Sequence, residues 1–231
     1  MMNLKAVLCL SVFALILALG SVSANAVEIT IYSQGLNLVT GDGGGYSWSN
    51  QQIADRFRLI SNASLTDLIW YGDNLNNSFP SAPSFTIRLF ADSGTVPANN
   101  PFLDTSVTAA AVDTGLSQGT EKIFKFSTTL GSPVALSGGT DYWLSILETS
   151  PTTDNDRFRW ADGITTNVND SNNVFRIADN SSWGGACSTV PNRCQAAYEL
   201  RSDVSAVPEP STLLLLGSGL AGLAAWRRKA A

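Results

Sequence analysis

The sequence predicts an all-β protein, a jelly-roll-like antiparallel β-sandwich flanked by an N-terminal signal peptide and a C-terminal transmembrane helix. Three observations carry this reading. Short runs rich in β-branched and aromatic residues are separated by clusters of Gly, Asn, Asp, Ser and Pro. Between the two ends no window shows an apolar stripe at the helical period, whereas several runs alternate with a period of two. No repeat recurs at roughly 20 to 50 residues, which weighs against a propeller or a solenoid.

The expected strands, in order, are 28–32, 53–59, 65–71, 85–90, 122–127, 142–147, 158–161, 174–178 and 197–201. The first four are bounded by Ser33, the Ser61-Asn62 turn, Gly72-Asp73-Asn74 and Asp92-Ser93-Gly94. Within 85–90, Phe85, Ile87 and Leu89 share one face, opposed by Thr86 and Arg88. Strand 122–127 follows a Gly-Thr turn, and in 142–147 Tyr142, Leu144 and Ile146 share a face. The last three are short aromatic or β-branched runs between Asp, Asn and Gly. Such patterning fits half-buried antiparallel strands and favours a sandwich over an α/β fold.

Both ends read as addresses. Lys5 precedes an apolar stretch, 6–19, and small residues ending in Ala24-Asn25-Ala26, the order of a secretory signal peptide with cleavage before Val27. The alternative is an uncleaved N-terminal helix. Without 1–26 and the terminal 207–231, 180 of the 231 residues remain. That is one domain, long enough to bury roughly 70% of the surface of its unfolded chain.

Of 14 basic residues, Lys5, Arg227, Arg228 and Lys229 lie in the ends, as does Glu209 of the 19 acidic ones, so 27–206 carries 10 positives against 18 negatives. A polyanion is repelled by that balance, so nucleic acid is not an expected partner. The chain has no histidine, which removes Ser-His-Asp and Cys-His catalysis and His-ligated zinc. Export loses Cys9 with the leader and leaves Cys187 and Cys194 as an even pair in an oxidising compartment, where a disulfide stapling the loop after Trp183 is expected.

The C-terminal segment 207–231 has three parts: Pro208-Glu209-Pro210, an apolar run 213–226, and Arg227-Arg228-Lys229. As a helix the run is about 21 Å long, which Ser211, Thr212 and snorkelling basic side chains extend toward the membrane core. The basic cluster places its end in the cytoplasm and the large segment outside. The two prolines hold the backbone around Glu209 extended before the helix begins. A plain tail anchor is the simpler alternative, but it has no need of Pro-Glu-Pro.

This tail closely resembles the PEP-CTERM sorting signal of exported bacterial proteins. The resemblance implies recognition and processing near the motif by exosortase, a membrane-embedded cysteine transpeptidase-like enzyme, in an exopolysaccharide-producing host with two membranes. Segments Ile53-Ala54-Asp55-Arg56-Phe57-Arg58-Leu59, Leu65 through Gly72, Phe85 through Asp92 and Tyr142-Trp143-Leu144-Ser145-Ile146 are similar to exported bacterial β-sandwich domains joined to such tails. That similarity brings no catalytic motif and transfers no site residue.

Candidate sites are therefore read from the residues. Trp143 lies in an apolar strand and reads as core; Trp70 and Tyr71 are adjacent, so one of them faces outward. Trp48 and Trp183 sit in Gly/Ser/Asn-rich loops and are the candidates for glycan contact, against the simpler role of pinning loops to the sandwich. Asp154-Asn155-Asp156 and Asp162-Gly163 offer oxygen ligands but lack the spacing of a calcium loop, so they read as turn residues. Asp42-Gly43-Gly44-Gly45 lacks a following Gly-Lys-Ser/Thr and reads as a turn. A carboxylate pair drawn from Glu28, Glu121, Glu148, Glu199 and the aspartates is the remaining catalytic route.

The composite expectation is a non-enzymatic structural or adhesive protein of the cell surface or extracellular matrix. It is handled by signal peptidase and exosortase, held transiently in the inner membrane, and needs no cofactor or metal. A carbohydrate-binding module for exopolysaccharide is the alternative, and a carboxylate-dependent glycosidase the third reading.

Overall fold

Among the described residues, period-two alternation resolves into twelve strands: β1 (Val27–Leu36), β2 (Gln52–Arg58), β3 (Ala63–Asp73), β4 (Ser84–Ala91), β5 (Leu103–Thr108), β6 (Val112–Gln118), β7 (Glu121–Leu136), β8 (Asp141–Glu148), β9 (Arg159–Trp160), β10 (Gly163–Ile164), β11 (Asn173–Arg176) and β12 (Tyr198–Val204). The computed structural model describes residues 27–38, 45, 47, 51–149, 151, 153–164, 173–179, 181–184, 195–204 and 219. The chain divides into a unit of residues 29–203 and a second made of 1–28 and 204–231. Of the second, Val27, Glu28, Val204 and the helical Gly219 are described.

The strands form a seven-stranded sheet, β10-β1-β12-β3-β7-β6 with β9 on β3, and a five-stranded sheet, β11-β2-β8-β4-β5. With β6, β9, β10 and β11 set aside as additions, the other eight interleave in chain order. The first, eighth, third and sixth share one sheet, and the second, seventh, fourth and fifth the other. That nesting follows the jelly-roll order of paired Greek keys.

The core lies between the sheets. Trp70 of β3 stacks on Phe126 of β7 at 5.7 Å and receives the edge of Phe85 of β4 at 5.2 Å, so one aromatic group joins both layers. Phe85, Ile87 and Leu89 are fully buried beside Leu144 and Ile146. One carboxylate sits among them. Asp55 is wholly buried and accepts the Ala196 N–H at 2.9 Å. Oriented to satisfy its neighbours, the Gln34 amide donates to Ala196 O and Asp55 Oδ2 and accepts from the Tyr32 hydroxyl.

All nine expected strands are present, with shifted ends, and three more join them. β5 and β6 are sheet edges built from Thr, Ser and Asp, which carry little apolar signal, and β10 is two residues long. β7 runs on to Leu136 past the exposed Gly131-Ser132-Pro133 and pairs again with β3 across an irregularity between Leu65 and Asp67. Expectations for 1–26, for Pro208-Glu209-Pro210, for the apolar run apart from Gly219 and for Arg227, Arg228 and Lys229 fall outside the described residues. Among the described residues no helix is long and apolar enough to cross a membrane.

Close packing of β9 on β3 requires glycine at position 72, where a Cβ would lie 2.0 Å from Phe158 Cε2 and 2.6 Å from the Arg159 carbonyl oxygen. Gly72→Ala is expected to cost about 3 kcal/mol, read by urea denaturation. The control Gly35→Ala, with nothing within 4 Å of its Cβ, should stay within about 0.5 kcal/mol of the parent.

Candidate functional site

The outer face of the five-stranded sheet is covered, unlike the solvated face of a simple half-buried sheet. Alternation sends Gln52, Ala54 and Arg56 of β2, Trp143 and Ser145 of β8, Arg88 and Phe90 of β4, and Val174 and Arg176 of β11 to this side. Register then sets Arg56 and Phe90 on either side of Trp143, Arg88 beside Ser145, and Arg176 beside Gln52. Ala54, Phe90, Trp143 and Val174 form a second apolar cluster with Trp183. Ala54 and Ser145 form a patch of small residues in the row beside these rings.

A hairpin covers it. Phe175 and Gly184 exchange backbone hydrogen bonds of 3.1 and 3.0 Å, which brings Trp183 over the sheet and onto Phe90, centroids 5.5 Å apart and edge-to-face. The Arg176 guanidinium lies 4.4 Å from the Trp183 ring centroid and 5.6 Å from that of Phe90. Around the rings runs a ladder of four arginines and four aspartates. Arg56 and Arg58 share Asp141, each at 2.8 Å, and Arg56 also approaches Asp92, which accepts from Trp143 Nε1 at 2.8 Å. Arg88 holds Asp104 and Asp179, and Arg176 holds Asp179 and the Gln52 Oε1 at 2.6 Å. The Arg58 hydrogen bond lowers the Asp141 pKa, and the Arg88 hydrogen bond lowers that of Asp179. Charge on this face is therefore balanced. Four buried donors here have no hydrogen-bond partner: Gln52 Nε2, Arg56 Nε, Ser145 Oγ and Trp183 Nε1.

Two buried carboxyls with raised pKa lie elsewhere. Asp73, at the end of β3, accepts from Arg159 Nε at 2.5 Å, with Glu121 3.6 Å from the same guanidinium. Burial dominates over that pairing and raises the Asp73 pKa to about 6. Glu148, at the end of β8, accepts the Phe158 N–H at 2.8 Å; burial raises its pKa to about 7, and the Asp156 charge adds to the rise.

The aromatic and acidic expectations divide as follows. Trp183 is 9% exposed, with Arg176 over its ring and Phe90 edge-to-face with it, the arrangement of a residue that pins its loop. Trp143 is wholly buried as expected, but in the outer cluster rather than between the sheets. Trp70 faces inward and Tyr71 outward, where its hydroxyl reaches Glu199 at 3.4 Å. Asp154-Asn155-Asp156 form a single 3-10 turn, with Asp154 bonded to Arg157 and Asp156 to Asn76 and Thr153. Asp162 is buried and accepts from Gln118 at 3.1 Å. Among the described residues no group of three or more Cys, Asp or Glu is arranged to hold a metal. Trp48, Cys187 and Cys194 lie outside the described residues. The arginine–aspartate ladder was missed, although Arg56, Arg88 and Phe90 stand at alternate positions opposite apolar faces.

The two raised carboxyls bind protons more tightly in the folded than in the unfolded chain. Their stabilisation is complete below the unfolded values, 4.5 for Glu148 and 3.8 for Asp73, and is lost as pH rises through about 7 and about 6. Thermal stability should accordingly fall as pH is raised from about 4.5 to about 7.5. Glu148→Gln keeps an acceptor for Phe158 N–H, should flatten that fall, and should exceed the parent by about 2 kcal/mol at pH 8. Parallel pH profiles for parent and variant in denaturant melts would contradict this assignment.

Among curated proteins none matches this chain. Residues 206–229 match the family described as the PEP-CTERM protein-sorting motif. The matched stretch contains Pro208, Glu209, Pro210, the apolar run and Arg227, Arg228 and Lys229. It implies export, membrane-anchored processing and exosortase-dependent sorting of the sandwich that precedes it.

Proposed function

We propose that the chain is a non-catalytic structural or adhesive protein of the cell surface or extracellular matrix, released to that site after exosortase acts on its C-terminal signal. The observation that carries this reading is the sorting motif at 206–229, which begins two residues after the last strand ends at Val204. The whole sandwich therefore precedes the processing element and would leave with the mature product. Burial of the two high-pKa carboxyls, each tied to a backbone N–H or an arginine, supports a structural rather than a catalytic use of them. A glycan-binding role is the second reading, favoured by the aromatic rings and paired arginines on one face of the five-stranded sheet.

Intact-mass analysis in an exosortase-bearing host tests the first reading. The expected product begins at Val27 and lacks Arg227, Arg228 and Lys229, whereas the triple variant Pro208→Ala, Glu209→Ala, Pro210→Ala keeps them. A parent product still carrying residues 1–26 or the basic tail would remove the support for this route.

A further inference from the structure

The covered face of the five-stranded sheet has the parts of a binding site, and its own hairpin fills it. We propose that this face binds a neutral polyhydroxylated ring, one unit of a glycan chain, and that Trp183 takes the place of that ring when glycan is absent. The proposal deepens the glycan-binding reading by naming the site and the class of ligand.

Three features point to it. First, rings and small residues stand side by side: Phe90 pairs with Trp143, Ala54 and Ser145 occupy the neighbouring row, and the indole of Trp183 packs in the same cluster as Ala54, Phe90 and Trp143. Second, every arginine around the rings stands beside an aspartate: Arg56 and Arg58 by Asp141, Arg88 and Arg176 by Asp179. Vicinal hydroxyls donate and accept at adjacent atoms, so they match a guanidinium next to a carboxylate. Balanced charge on the same face gives no preference for a uronate or a sulfate. Third, the closed hairpin leaves Gln52 Nε2, Arg56 Nε and Ser145 Oγ buried without acceptors. Leaving buried donors unpaired is costly, and the oxygens of a sugar would pair them.

Part of the cover faces solvent. A Cβ at Gly184 would meet nothing within 4 Å, and Ile177 is 69% exposed. Because the closed hairpin competes with ligand, apparent affinity is reduced by the fraction of molecules that are open.

Affinity electrophoresis of the full chain in dextran, hydroxyethylcellulose and alginate, with an array of neutral and acidic oligosaccharides, tests the proposal. Trp183→Ala should bind a neutral glycan about tenfold more tightly than the parent. Ser145→Leu added to it fills the small-residue patch and should abolish the gain. Cooperative melting verifies folding, and Arg176→Met, which frees the hairpin but keeps Trp183, serves if Trp183→Ala does not fold. Glycan binding indifferent to all these substitutions would keep the second reading and overturn this site. Preference for alginate over the neutral polymers would overturn the ligand class. Folded Trp183→Ala that binds no neutral glycan would overturn both the site and the glycan-binding reading, leaving the sorting route untouched.

Discussion

The pairing of β4 with β8 is the constraint on which both faces of the five-stranded sheet depend. Its register places Ile87 opposite Ile146 and Leu89 opposite Leu144 on the inner side, and Arg88 opposite Ser145 and Phe90 opposite Trp143 on the outer. A slip of one residue would exchange the two sets, sending the arginine into the aromatic core and the leucines under the hairpin. In a sheet with one wet face only the inner set opposes such a slip. Here Trp70 and Phe85 meet across the layers, and Trp183 meets Phe90 outside, so the register is specified from both sides.

Where the ladders stop, buried carboxylates take over. Ala196 N–H finds Asp55 and Phe158 N–H finds Glu148, so two segments crossing between strands satisfy their backbone donors with side-chain oxygens. Burial makes the Glu148 carboxyl hard to ionise and raises its pKa to about 7 although a backbone donor faces it. Asp73 shows the same competition with an arginine as partner: the pairing with Arg159 lowers its pKa, desolvation raises it, and desolvation wins.

Much of the fold was legible because core strands advertise their faces. The alternation in Phe85, Ile87 and Leu89 located β4 and the face it turns to the core. The edges were not legible for the opposite reason. β5 reads Leu-Asp-Thr-Ser-Val-Thr and β6 contains Gly115 at φ +72°, residues that suit a loop as well as an edge strand. Trp183 illustrates a further limit. Its Gly/Ser/Asn neighbours mark a loop, and only the three-dimensional return of that loop decides whether the ring meets water or Phe90. Likewise Arg56, Arg88 and Arg176 are isolated cations in sequence, and their assembly into one ladder follows from sheet order β11-β2-β8-β4, which no local pattern encodes.

The position of β12 ties the sandwich to its sorting segment. β12 lies between β1 and β3, not at an edge, and Tyr198 and Leu200 on it are wholly buried. Its register with β3 runs from Tyr198 opposite Trp70 to Arg201 opposite Asp67, so the strand that leads to the motif passes the main aromatic group of the core. A chain leaving from an edge strand could fray by breaking hydrogen bonds on one side and exposing little apolar surface. Fraying β12 breaks bonds on both sides and uncovers Tyr198, which stacks on Tyr32 of β1 and meets Trp160 of β9. Local opening is cheapest where few buried contacts are lost. β12 is therefore among the segments of the sandwich least prone to local opening.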